Sequence, residues 1–383
     1  MVNSAAFEAL VCNSDDAVRP SADVESVRAF IKKAVLGTKA RDSRSLDILC
    51  AVLVRIAFIA PEAVDLVYDA LTCSWLGLPF DAFPTRSDYP DAALRLCEKA
   101  ELPEQFWKSF WSLVQDGGKR ISPGEVTARV AALRADLPPS YSERAEKIAQ
   151  SHPRMSGAAT RGISDLLKLD TLTSLPPGSL GHDFSRFVIE NNFDLEVLDR
   201  EADGLRNLPP ALRYLNLRVL QMHDIWHLAG GYTTSLLHEN AISSFQLAQC
   251  GHDYSAMYLA TAAMFTRVWF PDGRGVLLQV IAEAWQHSRK CPSFMEIEWE
   301  REWHLSVAEL QRRHGIPPFD SIYAPDVIEQ GFAIQDHPII RGVQKLDRAL
   351  GTRFERVLQQ GLLALHVKVL AMQKKRRPQL AEQ

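Results

Sequence analysis

The chain has 383 residues, 46% of them hydrophobic and 23% charged, with a formal net charge of −4. That length is too great for one small core and implies two domains or one large helical one. The mild negative charge argues against wholesale nucleic-acid binding, so no nucleic acid is expected as a partner.

The first twenty residues, MVNSAAFEALVCNSDDAVRP, lack the basic start and apolar core of a signal or transit peptide and carry Glu8, Asp15 and Asp16. From there on, apolar residues recur at helical spacing and strand signals are scarce. Residues 22–115 read as several helices, one of them started by Pro61. The longest apolar stretch, Ile48 to Ala60, is broken by Arg55 and is too short to span a bilayer. Gly117, Gly118, Pro123, Gly124 and the Pro138-Pro139 pair mark a linker with one short helix inside it, which sets a domain boundary near residue 140. Leu175-Pro176-Pro177-Gly178-Ser179-Leu180-Gly181 reads as a turn and helix start with Ser179 as N-cap. Helices are then expected over 212–229, 235–250, 254–269, 275–289 and 294–314. Gly230-Gly231, Gly251, the Pro271-Asp272-Gly273 turn and Gly315 punctuate them.

Between Arg341 and Arg377 ten Lys or Arg stand against Asp347 and Glu355, a local +8. Apolar residues at near-helical spacing make this a packed C-terminal helix with a basic end. The other reading is contact with an anionic membrane surface, to which each basic residue adds about 1 kcal/mol. The six cysteines, Cys12, Cys50, Cys73, Cys97, Cys250 and Cys291, form no C-x-x-C pair and read as buried, inert thiols in a reducing compartment.

The chemistry concentrates in His223-Asp224-Ile225-Trp226-His227. On a helix, His223, His227 and Asp224 sit at roughly 0°, 40° and 100°, so two imidazoles and a carboxylate share one face. A fourth ligand is offered by Glu239. On an unbroken helix it would lie about 24 Å from His223, far beyond a shared ion. Gly230-Gly231 removes that obstacle, because Thr233, Thr234 and Ser235 can cap a second helix that folds back on the first. The expectation is an all-α, multi-helix bundle with a metal site at a helix–turn–helix junction, holding one divalent ion through His223, Asp224, His227 and Glu239. Nitrogen and carboxylate donors without thiolate suit zinc first, and also iron or manganese. His182, Asp183, His238 and His287 are read as structural, His252-Asp253 as the cap of the next helix, and Trp285, Trp299 and Trp303 as core.

With that segment in view, the chain resembles the Coq-four family of coenzyme Q (ubiquinone) biosynthesis proteins. The family's hallmark is H-D-x-x-H, eleven residues, then E, and the spacing from His223 to Glu239 matches it. The LPPGSLG phrase at 175–181, FQLAQCG at 245–251, Ala284-Trp285, Trp299-Glu300 and Leu310 to Ile316 are similar to its flanking phrases. The R-Y-R-E phrase usual before the H-D is replaced here by Arg218-Val219-Leu220-Gln221.

The resemblance implies a helical protein peripheral to a membrane, with the same four residues as metal ligands. It further implies metal-dependent oxidative decarboxylation, that is, carboxylate removal and hydroxylation at that ring carbon of a polyprenylated hydroxybenzoate-type precursor. The alternative is a non-catalytic lipid-binding scaffold of a quinone-biosynthesis complex; a metal hydrolase ranks last. Expected partners are the polyprenylated quinone precursor, a membrane surface, other quinone-biosynthesis proteins and, left open, a second copy of the chain. The expected location is cytoplasmic, peripheral to the inner face of the membrane. Three segments are expected: a helical region 1–140, a metal-binding helical domain 141–340 resembling that family, and a basic helix and tail 341–383. Leu236, Leu237, Phe245, Tyr258 and Phe265 are the candidate linings of an isoprenoid channel.

Overall fold

The structure is a computed structural model that describes residues 3–12, 23–117, 122–155, 162, 167–193 and 203–336. In chain order its helices are α1 (Ser4–Cys12), α2 (Val24–Lys39), α3 (Ser43–Phe58), α4 (Val64–Leu76), α5 (Tyr89–Cys97) and α6 (Glu104–Asp116). Next come α7 (Pro123–Ala132), α8 (Pro139–Ser151), α9 (Leu169–Thr173), α10 (Leu180–Glu190), α11 (Asp203–Arg206) and α12 (Pro210–Gly230). Last are α13 (Leu236–Cys250), α14 (Asp253–Trp269), α15 (Arg274–Lys290), α16 (Val307–His314) and α17 (Val327–Asp336). No strand occurs among the described residues, so the all-α bundle expected from the periodicity is what forms. The basic tail at 341–383 lies outside the described residues.

The packing order follows from which helices are apolar all round. α3, α4 and α13 bury nearly every residue over most of their length, as helices surrounded by other helices do. α13 runs along α15, α15 packs on α4, and α4 packs on α2. α3 bridges α2 and α14, while α12 leans on α8 and α10. One continuous apolar core reaches from Phe7 to Val327, so the first six helices share it with the later ones.

Arg55, which interrupts the apolar run of α3, is buried and still satisfied. Its guanidinium donates to the carbonyls of Leu96 at 2.7 Å and Val11 at 2.6 Å. Among the described residues no helix is long and apolar enough to cross a membrane.

The span expected as one helix over 294–314 is instead irregular chain, a short 3-10 turn at Trp299–Arg301, and α16. The reason is tertiary. Phe294, Met295, Ile297 and Trp299 are all buried, a spacing that no single helix face provides. The Gln249 side chain accepts from Phe294 N at 2.9 Å and donates to Pro292 O at 3.2 Å. The carbonyls of Trp303 and Leu305 accept the otherwise unpaired N–H groups of Gly181 and Leu180 at the start of α10. A capping box between Ser306 and Glu309 then starts α16 afresh.

Candidate metal centre

Three local devices set the site's two helices. Pro210 begins α12, and the Glu146 carboxylate of α8 accepts from the free N–H groups of Ala211 (3.1 Å) and Leu212 (2.7 Å). Gly231 ends α12 in the left-handed region at φ 77°, a conformation that costs a side chain about 1–2 kcal/mol. Ser235 caps α13 by accepting from His238 N at 3.3 Å. The chain therefore reverses within five residues, and His227 in the last turn of α12 faces Glu239 in the first turn of α13.

The side chains converge as the spacing requires. His223 Nε2 and His227 Nε2 are 3.0 Å apart. Glu239 spans both, with Oε2 3.5 Å from His223 Nε2 and Oε1 3.5 Å from His227 Nε2. Asp224 joins the two imidazoles in a compact set whose ligand atoms all lie within 4.8 Å of one another; Glu239 is outside that set of three. His227 is sealed in, whereas His223 and Glu239 keep 29% of their side-chain surface exposed, so the cluster forms the wall of an opening rather than a closed cage.

Electrostatics sort the four groups. Burial presses His227 down to about 4, with help from the charge of His223. Burial would also lower His223, but the hydrogen bond and negative charge of Glu239 outweigh it and raise its pKa. Burial pushes the Asp224 carboxyl up, opposed by His223 and reinforced by Glu239. Glu239 resists the same burial and stays below the usual carboxylate range because of the His223 hydrogen bond and both imidazoles.

The donor set fits a small cation. Two imidazole nitrogens each about 2.0–2.1 Å from one ion lie about 2.9–3.4 Å apart for ligand angles between 90° and 110°, and the observed 3.0 Å is inside that window. Imidazole and carboxylate donors in a half-open setting are the usual makings of a site that keeps an exchangeable position.

The sequence profile described as Coenzyme Q (ubiquinone) biosynthesis protein Coq4 matches residues 121–320, just over half of the chain. The chain belongs to the Coq4 family. Its α7–α16 region is the matched part, and all four candidate ligands fall inside it. A relative from Homo sapiens, named ubiquinone biosynthesis protein COQ4 homolog, mitochondrial, is 28% identical over 191 residues, which is 49% of this chain and 64% of that one. A relative of the same name from Rattus norvegicus is 28% identical over 176 residues, 45% of this chain and 60% of that one. This Coq4-family chain thus spans less than two thirds of the length of those curated relatives. A solved chain from Nostoc punctiforme aligns at 20% identity and a TM-score of 0.43, covering 55% of this chain and 97% of that one.

The relatives overturn the cytoplasmic location, peripheral to the inner face of the membrane, that was expected above: they are named mitochondrial. The physical reason is that a compartment is set by what import receptors recognise. Charge and composition of a folded body do not encode it.

Two of the histidines read as structural have structural partners. His238 Nδ1 accepts from Thr233 N at 2.9 Å, and His287 bridges the Tyr232 hydroxyl and the Pro317 carbonyl, each at 2.6 Å. Trp285 and Trp299 are fully buried. His252 precedes α14 without capping it through its side chain, and Asp253 instead pairs with Arg134 at 2.5 Å. Of the proposed channel linings, Leu237 and Phe245 have no exposed surface and belong to the core. The substituted phrase before the hallmark is also occupied: Arg218 forms a two-pronged pair with Glu300 and reaches Gln221 at 3.3 Å.

One residue of the site escaped the sequence reading. Gln246 is buried, and its side chain meets His223 Nδ1 at 2.7 Å. A signal existed: Gln246 lies seven residues after Glu239, hence about 20° from it around α13 and on the same face.

Proposed function

We propose that this chain serves ubiquinone biosynthesis by removing the ring carboxylate of a polyprenylated hydroxybenzoate-type precursor, with hydroxylation at the vacated carbon. His223, Asp224, His227 and Glu239 would hold one divalent ion there, zinc first by donor type, with iron and manganese also suited. The observation that carries the reading is the pair of Nε2 atoms 3.0 Å apart with Glu239 3.5 Å from each, inside the region matched to the Coq4 family. When bound, the ion would supply a positive centre that polarises the departing carboxylate. Overall, Ar–COOH + O2 + 2 e⁻ + 2 H⁺ gives Ar–OH + CO2 + H2O, so dioxygen would be the oxidant and a two-electron donor from outside the chain would reduce its second oxygen to water.

The chain's own residues divide the remaining work. His227, sealed and held neutral, offers a fixed lone pair, while His223 and Glu239 line the opening through which a ring enters. The Phe187 ring lies 6.0 Å from that of His227 and 5.8 Å from that of Phe193. Phe193, which packs on Phe187, is exposed. This apolar surface beside the opening supports an isoprenoid tail or a membrane surface as the neighbouring partner. Residues 141–340 would form the unit that bears the site, with the earlier helices buttressing it and the basic tail at 341–383 meeting anionic lipid. Other quinone-biosynthesis proteins are the expected macromolecular partners.

Deletion of the gene should make a carboxylated polyprenyl intermediate accumulate, and the wild-type chain should restore quinone synthesis. A Glu239→Gln variant that folds should fail to restore it. If that variant lacks metal and still supports normal quinone levels, the catalytic reading is wrong and the lipid-binding scaffold replaces it.

A further inference from the structure

A buried line of polar groups leads away from the candidate ligands and into the bundle. His223 Nδ1 meets the Gln246 amide nitrogen at 2.7 Å. The other end of that amide, Oε1, accepts from Ser255 Oγ at 3.2 Å. Ser255 Oγ in turn meets His252 Nδ1 at 2.8 Å. Gln246, Ser255 and His252 are all essentially without solvent contact, and the last atom of the line, His252 Nε2, is buried with no hydrogen-bond partner. His227 has no comparable line of side chains: its buried imidazole has the backbone of Tyr232 and Thr233 beside it.

The direction of this line is constrained by donor and acceptor arithmetic. In neutral His223, the form present above its raised pKa, the Gln246 N–H donates to Nδ1 and the single ring proton sits on Nε2, between Glu239 and His227. Ser255 O–H then donates to Gln246 Oε1, and His252 Nδ1–H donates to Ser255 Oγ. A cation on His223 Nε2 requires that lone pair, so the His223 proton must sit on Nδ1 and the amide must turn its Oε1 toward it. Gln246 N–H then donates to Ser255 Oγ, and Ser255 O–H donates to His252 Nδ1, leaving the His252 proton on Nε2. Every link reverses and no proton is gained or lost. The unpartnered His252 Nε2 lets this happen, because nothing at that end pins either arrangement.

We propose that Gln246 is the positioning residue for the His223 ligand and that the line His223–Gln246–Ser255–His252 reverses its hydrogen-bond direction when a divalent cation enters. This rests on the cation reading above and adds to it a reporter that lies outside the ligand set.

The test uses the full chain and Zn²⁺ alone, at a mildly alkaline pH where the His223 ring nitrogens show it neutral before Zn²⁺ is added, titrated against a competing chelator, with the imidazole nitrogens followed by ¹⁵N NMR. In the wild type, Zn²⁺ should move the His252 proton from Nδ1 to Nε2, exchanging the two nitrogen shifts. A His252→Ala spectrum assigns those signals. Gln246→Leu should weaken Zn²⁺ binding about 10–100-fold. Its melting curve in chelator shows that it folds, and its His252 should no longer respond to Zn²⁺. Gln246→Glu separates packing from positioning. Its carboxylate accepts from both His223 Nδ1–H and Ser255 O–H, so affinity should stay within a few-fold of wild type while His252 keeps its proton on Nδ1 with or without Zn²⁺. Wild-type affinity in Gln246→Leu, or a His252 tautomer indifferent to Zn²⁺ in a wild type that binds it, overturns the proposal and leaves the cation site standing. Failure of the wild type to bind Zn²⁺, or equal binding by His227→Ala, overturns the cation site and this proposal together.

Discussion

Two clusters of buried titratable groups sit in this bundle, and they differ in whether their charges close. In the first, between α4, α5 and α15, Asp69 accepts from Trp285 Nε1 at 2.7 Å, from the Tyr89 hydroxyl and from Arg289 at 3.0 Å. Asp65 accepts from Arg86 at 2.8 Å and lies 3.5 Å from Arg289. Two carboxylates meet two guanidiniums. In the second, between α12 and α13, two carboxylates meet two imidazoles, of which His227 is held neutral. The leading charges acting on those four groups come from one another and from His238, with no Arg or Lys among them. A cluster that neutralises itself holds helices together. On the reading proposed above, one left short of positive charge would receive it from a cation.

Breaking the closed cluster should have the largest effect. Asp69→Ala leaves Arg289 only the Asp65 carboxylate at 3.5 Å and leaves the buried Trp285 N–H and Tyr89 hydroxyl without their acceptor, and should cost about 3–5 kcal/mol, read from urea unfolding. Zn²⁺ uptake per folded chain should not change. A loss under about 1 kcal/mol would mean that this cluster does not close as described.

His227→Ala attacks the open cluster and should abolish Zn²⁺ uptake. At a hundredfold excess of Zn²⁺ over Kd the wild type should gain about 2.7 kcal/mol of unfolding free energy and the variant none. Thermal melts with and without chelator check this. A variant that is stabilised as much as wild type removes His227 from the ligand set.

The pH response sharpens the contrast. Burial lowers His152, beside Asp65, from 6.5 to about 4. Its folded pKa is depressed, so its contribution is intact above about pH 6.5 and is lost as the pH falls toward 4, at about 1.4 kcal/mol per pH unit. His227 and His252 act in the same sense, also at about 4, while the raised pKa of His223 acts in the opposite one. In chelator, His152→Gln should flatten the stability slope between pH 6 and 4.5 by about one proton. An unchanged slope would show that His152 is charged in the folded chain.

The smallest effect is expected at the turn between the two ligand helices. Ser235→Ala removes the cap of α13 and should cost about 1 kcal/mol. Because Glu239 lies in that first turn, Zn²⁺ affinity should fall with it. Lost stability with unchanged affinity would show that the ion itself holds the turn.

These clusters were not equally legible in the sequence. The open one was written locally. His223, Asp224 and His227 share a helix face by spacing, Gly231 takes the left-handed conformation that ends α12, and Ser235 restarts the chain, all within thirteen residues. The closed one joins Asp69 to Trp285 and Arg289 across more than two hundred residues, and no periodicity connects them. The same divide explains the misread span at 294–314. Only its second part, Val307–His314, is helical as expected, and Gln249 and the start of α10 recruited backbone groups of the part before it.

By itself the sequence determined the helices and their stops, since a helix is built from contacts three and four residues apart and its ends from single caps. It also determined that two histidines and a glutamate meet, because one glycine break permits only a tight reversal. Tertiary structure alone decided that Gln246 backs His223, that Glu146 holds the start of α12 and that Leu237 and Phe245 are core rather than channel. Each of those depends on which helix lies alongside which, and that choice is made by burial of the whole core rather than by any local pattern.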